Sequence, residues 1–191
     1  MSAQPDLLYS EEEEALRAAV RDLLADHCDA PALIARTESD APHDLAAWKA
    51  LSDGMGLAGL LVPERLGGQG ASHREVAVVL EELGRAVAPV PYLTSAVVAT
   101  EALLAVGDEE LLGRLASGRT IGALAVGLHT APGAAPKAVR VEDGLLRGEV
   151  SAVADAAVAA TESSVPSSAS PAPNLPPPAT GRAPPRTKAW L

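Results

Sequence analysis

Along the first 117 positions, apolar residues recur at spacings of three and four, and a polar residue able to start a helix stands before most of these runs. Ser10 followed by Glu11-Glu12-Glu13-Glu14 predicts a capped helix, with Glu13 at the capping-box position and the acids at the positive end of the helix dipole. Behind them Leu16, Ala19, Val20, Leu23 and Leu24 form one stripe, with Arg17, Arg21, Asp22 and Asp26 outside it, so this helix is expected over 11–28. Asp44 predicts the start of a shorter helix over Leu45 to Asp53, with Leu45, Trp48 and Leu51 on its apolar face and Trp48 in the core. Ser72 and Glu75 repeat the capping box ahead of Val76, Val79, Leu80 and Leu83, and this helix should end near Gly84 or Arg85. Thr94 to Val106 reads as a fourth helix, and Asp108 caps a fifth through Leu111, Leu112 and Leu115.

After Ser117-Gly118-Arg119 the period changes. Ile121 to Val126 reads as a strand, and the stretches Lys137 to Glu142 and Leu145 to Val150 flank Asp143-Gly144, a hairpin signal. Two or three strands are too few to close a barrel or complete a sandwich. The last 31 residues change character again. Eight of the 16 prolines fall after Thr161, no acid follows Glu162, and Pro171 to Pro178 can supply neither helix nor ladder hydrogen bonds. The expected fold class is therefore mainly α: a helical N-terminal domain over 1–120, an incomplete β segment over 121–160 and a disordered Pro/Ser-rich tail over 161–191. The tail has the Pro, Ala, Arg, Ser and Thr bias that an out-of-frame reading of a GC-rich gene would give, and is read here as frameshifted.

A net charge of −10 without a basic stripe argues against nucleic acid as a partner. Cys28, the only cysteine, excludes an internal disulfide or a thiolate metal cluster. There is no leader-like N-terminus and no apolar run long enough for a bilayer, so the expected location is cytoplasmic, away from membranes. Few residues suggest chemistry. His27 and Cys28 are adjacent on a helix and point about 100° apart, which disfavours a nucleophile-base pair. Gly67, Gly68 and Gly70 lack the Lys-Ser/Thr ending of a phosphate loop and are assigned to loop shape. Among acids, Glu64 lies in that loop, and Glu81 and Glu82 are read as a solvated helix face.

Taken in order, several pieces resemble the N-terminal part of the flavin-dependent acyl-CoA dehydrogenases. They are the glutamate-started helix, Trp48 with Gly56-Leu57, Val62-Pro-Glu-Arg-Leu-Gly-Gly-Gln-Gly70, Val79-Leu-Glu-Glu-Leu-Gly-Arg85, Gly107-Asp-Glu-Glu-Leu111, Ser117-Gly-Arg-Thr-Ile-Gly-Ala-Leu-Ala125 and Asp143 to Asp155. Coverage is roughly residues 8 to 160. The resemblance implies a helical N-terminal domain, a middle β-domain that starts near Ile121 and a C-terminal helical bundle absent from this sequence. It implies desaturation of an acyl-CoA thioester at its alpha-beta bond, with FAD as hydride acceptor and a glutamate base from the bundle, so no catalytic residue is assigned here. Relatives carry a Thr-Glu-Pro sequence and then a Gly-Ser pair against the flavin. The corresponding stretch is Val126-Gly-Leu-His-Thr-Ala-Pro-Gly133, with Gly127 and Leu128 where Thr and Glu would stand. The implied FAD contacts are the backbone of Val126, Gly127 and Leu128 and the Thr130 hydroxyl, with no metal. Two classes of function follow: a subunit of such a dehydrogenase, in a homo- or hetero-oligomer with other dehydrogenase subunits but predicted inactive alone, or a non-catalytic helical partner of one.

Overall fold

The computed structural model describes residues 8–131, 133–134, 139–143 and 145–159, and every structural statement below concerns these. The tail over 161–191 lies outside them. Helix α1 spans Glu11–His27 and begins as its sequence requires. Glu13 N donates to Ser10 Oγ at 3.1 Å and Ser10 N donates to Glu13 Oε2 at 2.7 Å, closing the capping box in both directions. Val20 and Leu24 are buried, whereas Ala19, expected on the apolar stripe, faces solvent.

Helix α2, Ala30–Thr37, is an addition to the five helices that the pattern predicts. Asp29 caps it by accepting from Ala32 N, and Pro31 occupies the first turn, where its missing N–H costs nothing. None of its residues is fully buried, so it leaves no apolar period to read. Helix α3, Leu45–Lys49, starts at Asp44, whose Oδ1 accepts from Ala46 N and Ala47 N, and it continues as a π-turn over Ala50–Gly54. Trp48 is buried, and its Nε1 donates to Gly118 O at 2.8 Å, which ties α3 to the end of the helical region.

The glycine-rich stretch folds as short 3-10 turns over Leu57–Gly59 and Glu64–Leu66. Its amides turn inward: Gly68 N to Pro63 O, Gln69 N to Gly59 O, Gly70 N to Val62 O and Ala71 N to Leu60 O. A Cβ on Gly68 would stand 2.0 Å from Val62 O, so the glycine is there to let two backbones meet. Helix α4, His73–Arg85, repeats the capping box at Ser72 and Glu75 and packs along α1. The fourth expected helix begins earlier, as a π-helix over Tyr92–Ala99, and runs into α5, Thr100–Val106. Helix α6, Glu109–Ala116, follows its Asp108 cap. One cluster joins Val20, Leu24, Trp48, Leu51, Val79 and Tyr92, and a second joins Val62, Ala99, Leu103, Leu112 and Leu115.

Beyond Gly118 the expected hairpin forms, as β1, Val139–Glu142, antiparallel to β2, Leu145–Gly148. Asp143 at φ +52° suits the two-residue turn. Residues 121–126 do not form the expected strand. A strand needs a neighbour's ladder, and here Gly122 N instead donates to Ser95 Oγ on the helical surface, while Val126 N turns back to Leu124 O. Among the described residues, no helix is long and apolar enough to cross a membrane.

Candidate functional site

The interface of α1 with α4 carries two bidentate arginine–carboxylate pairs. Arg21 Nε and Nη2 donate to Glu82 Oε2 and Oε1 at 2.9 and 2.7 Å, and Arg74 donates to both oxygens of Glu13 at 2.6 and 2.9 Å. Both carboxylates are buried, which overturns the solvated-face reading of Glu82. A carboxylate taken out of water needs a cation with several donors, and the planar guanidinium supplies two parallel ones. The hydrogen bond from Arg21 holds the Glu82 carboxyl below its ordinary range. Glu13 is lowered to about 2, chiefly by its hydrogen bond from Arg74 and then by the Ser10 amide. Such pinned, acidified groups hold helices together and are poor proton acceptors.

Glu81 conforms to the exposed reading, with Arg17 Nη2 and the Tyr9 hydroxyl each donating to it at 3.0 Å. Glu64 is exposed at the start of its 3-10 turn. At the end of α1, His27 is exposed and Cys28 is half-buried, and burial pushes the Cys28 thiol up, away from the thiolate a nucleophile needs. Among the described residues no group of three or more His, Cys, Asp or Glu is arranged to hold a metal ion.

The four positions expected at a flavin lie on one loop. Val126 and Thr130 are half-buried, Gly127 is buried and Leu128 is exposed. Val126 N donates to Leu124 O at 2.7 Å, Leu128 N to Ala152 O at 2.9 Å and Thr130 N to Gly127 O at 2.8 Å. Gly127 is held close to its neighbours: a Cβ there would stand 2.8 Å from Ser151 O and from the His129 ring. Three of the loop's five amides are thus spent within the chain, which leaves the Gly127 and His129 N–H groups and the Thr130 hydroxyl without a partner among the described residues. Donors on one short loop can meet only part of the extended polar edge of a flavin, and the rest of that edge requires residues from elsewhere.

A constellation that sequence spacing did not reveal lies next to this loop. Asp155 Oδ1 is 2.8 Å from His43 Nε2, and Thr94 Oγ1 donates to Asp155 Oδ2 at 2.6 Å. The partners are 112 and 61 residues away in sequence, so no motif could have signalled them.

The order of capped helices up to Gly118 has a counterpart among known proteins. The model of the acyl-CoA dehydrogenase N-terminal domain matches residues 10–119, more than half of the chain. The chain belongs to the acyl-CoA dehydrogenase family. It is similar to the acyl-CoA dehydrogenase IpdE2 of Mycolicibacterium smegmatis, 43% identical over 113 residues, and to IpdE2 of Mycobacterium tuberculosis, 41% identical over 116 residues. Those matches cover 59% and 60% of this chain and 36% of either relative, so the chain spans about a third of the length of the curated acyl-CoA dehydrogenases it matches. Among solved structures, a variant of the Tcur3481-Tcur3483 steroid ACAD is similar at a TM-score of 0.65 and 33% identity, over 75% of this chain and 41% of that one. The ChsE4-ChsE5 complex from Mycobacterium tuberculosis is similar at 0.59 and 28%, over 71% of this chain and 37% of that one. The family model stops at residue 119, short of the 126–130 loop, so family membership rests on the helical region.

Proposed function

We propose that this chain supplies the N-terminal helical part of a flavin-dependent acyl-CoA dehydrogenase, which desaturates an acyl-CoA thioester between its alpha and beta carbons. The proposed parts are a helical domain over 1–120, a partial middle β-domain over 121–160 and a tail over 161–191. The observation that supports this reading is the family match across the capped helices at 10–119. Removal of the alpha proton requires a carboxylate within hydrogen-bond reach of that carbon. Glu13 and Glu82 are committed to arginines, and the base and most of the flavin's surroundings are proposed to come from the parts of such an enzyme that this chain does not span. The 126–130 loop, with Gly127 N–H and the Thr130 hydroxyl, contributes one edge of the FAD site.

Both similar solved structures carry paired names, and one is called a steroid ACAD. A second dehydrogenase subunit and a steroid-bearing acyl thioester are proposed accordingly, in the cytoplasm. The same pairing favours a second reading, in which the chain is the non-catalytic partner in such an assembly.

Purified alone, the chain should give no turnover of acyl-CoA thioesters above a protein-free control, with excess FAD and an artificial electron acceptor present. Co-expressed with a dehydrogenase subunit, it should co-purify as a yellow complex whose flavin absorbance bleaches on addition of a steroid acyl-CoA. A yellow complex that bleaches equally after this chain is stripped away favours the non-catalytic partner. Turnover by the isolated chain that is lost on Glu64→Gln would defeat the proposal.

A further inference from the structure

Asp155 fastens the second half of the chain to the first. Its two oxygens serve different elements: His43 precedes the α3 cap, and Thr94 lies in the first turn of the π-helix. Neither anchor is loose. His43 O accepts from Arg36 Nη1 at 3.0 Å, and the same guanidinium donates to Asp44 Oδ2 at 2.9 Å, while Thr94 is buried. Three residues before Asp155, the Ala152 carbonyl accepts the Leu128 amide, and Ser151 O lies against Gly127. Ser151 to Asp155 therefore forms a strap with one end on the 126–130 loop and the other on the helical region.

The backbone of this strap supports a fastening role. Ala152 and Asp155 both have left-handed φ, +55° and +54°, a conformation that is disfavoured for residues with a Cβ and persists only where surrounding bonds over-determine it. The compensating bonds are the Leu128 amide at one residue and the two side-chain bonds at the other. By contrast, among the described residues the strands of the hairpin pair only with each other. The geometry points to Asp155 as a positioning residue that holds the 126–130 loop in place against the helical region, acting through Ala152 O and Leu128 N–H. The inference rests on the proposed role of that loop only for its consequence in a dehydrogenase; the coupling is read without flavin or thioester, so it stands or falls separately.

Amide exchange on the isotope-labelled full chain tests it. In Asp155→Ala the Leu128 amide should exchange about tenfold faster or more, since a hydrogen bond to a charged group is removed, while the amides of Val20 and Val79 keep the wild-type rate. Thr94→Val should give an increase at Leu128 in the same direction, Thr94→Ser should restore protection, and the double variant Thr94→Val with Asp155→Ala should exchange no faster than Asp155→Ala alone. Unchanged exchange at Leu128 in Asp155→Ala would overturn the assignment, as would additive effects in the double variant. Loss of protection at Val20 and Val79 together with Leu128 would also overturn it, because Asp155 would then maintain the whole fold rather than position one loop.

Discussion

The helical region up to Gly118 and the segment after it are built on different terms. In the first, caps, apolar faces and arginine-carboxylate pairs all specify the same arrangement, and residues as large as Trp48, Leu51 and Tyr92 are buried. In the second, the only residues buried among those described are Gly122 and Gly127, neither of which has a side chain to bury. Hydrophobic burial grows with apolar area removed from water, so among the described residues the first region carries most of the stabilising burial. Among the described residues, the second is held by the Gly122 amide on Ser95 Oγ, by partly buried Ile121 packed against the first cluster, and by the side-chain bonds of Asp155. A family domain can thus be recognisable and cohesive while the loop proposed to meet a flavin sits where cohesion is least.

The largest expected contrast comes from truncating one apolar side chain in each region. Trp48→Ala removes a buried indole and its bond to Gly118 O, and should cost about 3–5 kcal/mol in urea unfolding. Leu145→Ala, at a side chain 59% exposed on β2, should fall within about 0.5 kcal/mol of wild type. Equal losses at the two positions would break the comparison, because the hairpin would then have to contribute to the same cooperative core.

A smaller contrast uses one substitution in both regions. Gly68→Ala drives a methyl into the Val62 backbone, and overpacking of this kind costs about 1–3 kcal/mol, expressed as a lower unfolding midpoint for the whole molecule. Gly127→Ala meets Ser151 O and the His129 ring at 2.8 Å, which can be relieved by shifting the loop. Its effect should be confined to faster amide exchange over residues 126–130 and 151–155, with the urea midpoint unchanged. A lowered midpoint for Gly127→Ala would show that the two regions unfold as one unit.

Legibility in the sequence follows the same division. Ser10, Asp44, Ser72 and Asp108 announce their helices because a cap is a local event, resolved within three residues of the side chain that makes it. The local sequence marks Glu13 as a capping residue but not as the buried partner of Arg74, since 61 residues separate them. Glu82 differs from its solvated-face expectation for the same reason: a glutamate on a helix looks solvated until Arg21 of another helix is brought to it. The strand expected at 121–126 failed because alternation records only that one face can be buried, not which element will cover it. Asp155 ended the stretch that carried the family resemblance, yet nothing local distinguishes a fastening carboxylate from a surface one. The helical frame was therefore readable, whereas the loop at 126–130 depends on contacts that the chain makes only after folding.

The mildest expected effect is a pH dependence belonging to the helical region. Glu13 has its pKa lowered from the ordinary 4.5 to about 2, by the Arg74 hydrogen bond first and the Ser10 amide second. A carboxylate held lower in the folded state than in the unfolded chain stabilises the fold fully above its unfolded pKa, because the unfolded state must give up the proton without that help. As pH falls from about 4.5 towards 2, the unfolded chain takes up a proton that the folded one refuses, and the contribution is lost. Glu13→Gln keeps a side chain that can serve the capping box but removes the titrating charge. The gap in urea midpoint between wild type and Glu13→Gln should be constant above pH 5 and shrink steadily from about pH 4.5 to about 2.5. Subtracting the two curves removes the acid sensitivity that other carboxylates, Glu82 among them, contribute to both proteins. Parallel midpoints over that range would mean that Arg74 holds Glu13 no more favourably than water does, and the α1 and α4 pairing would then rest on the apolar contacts of Val20, Leu24, Val76 and Val79 together with the other arginine pairs.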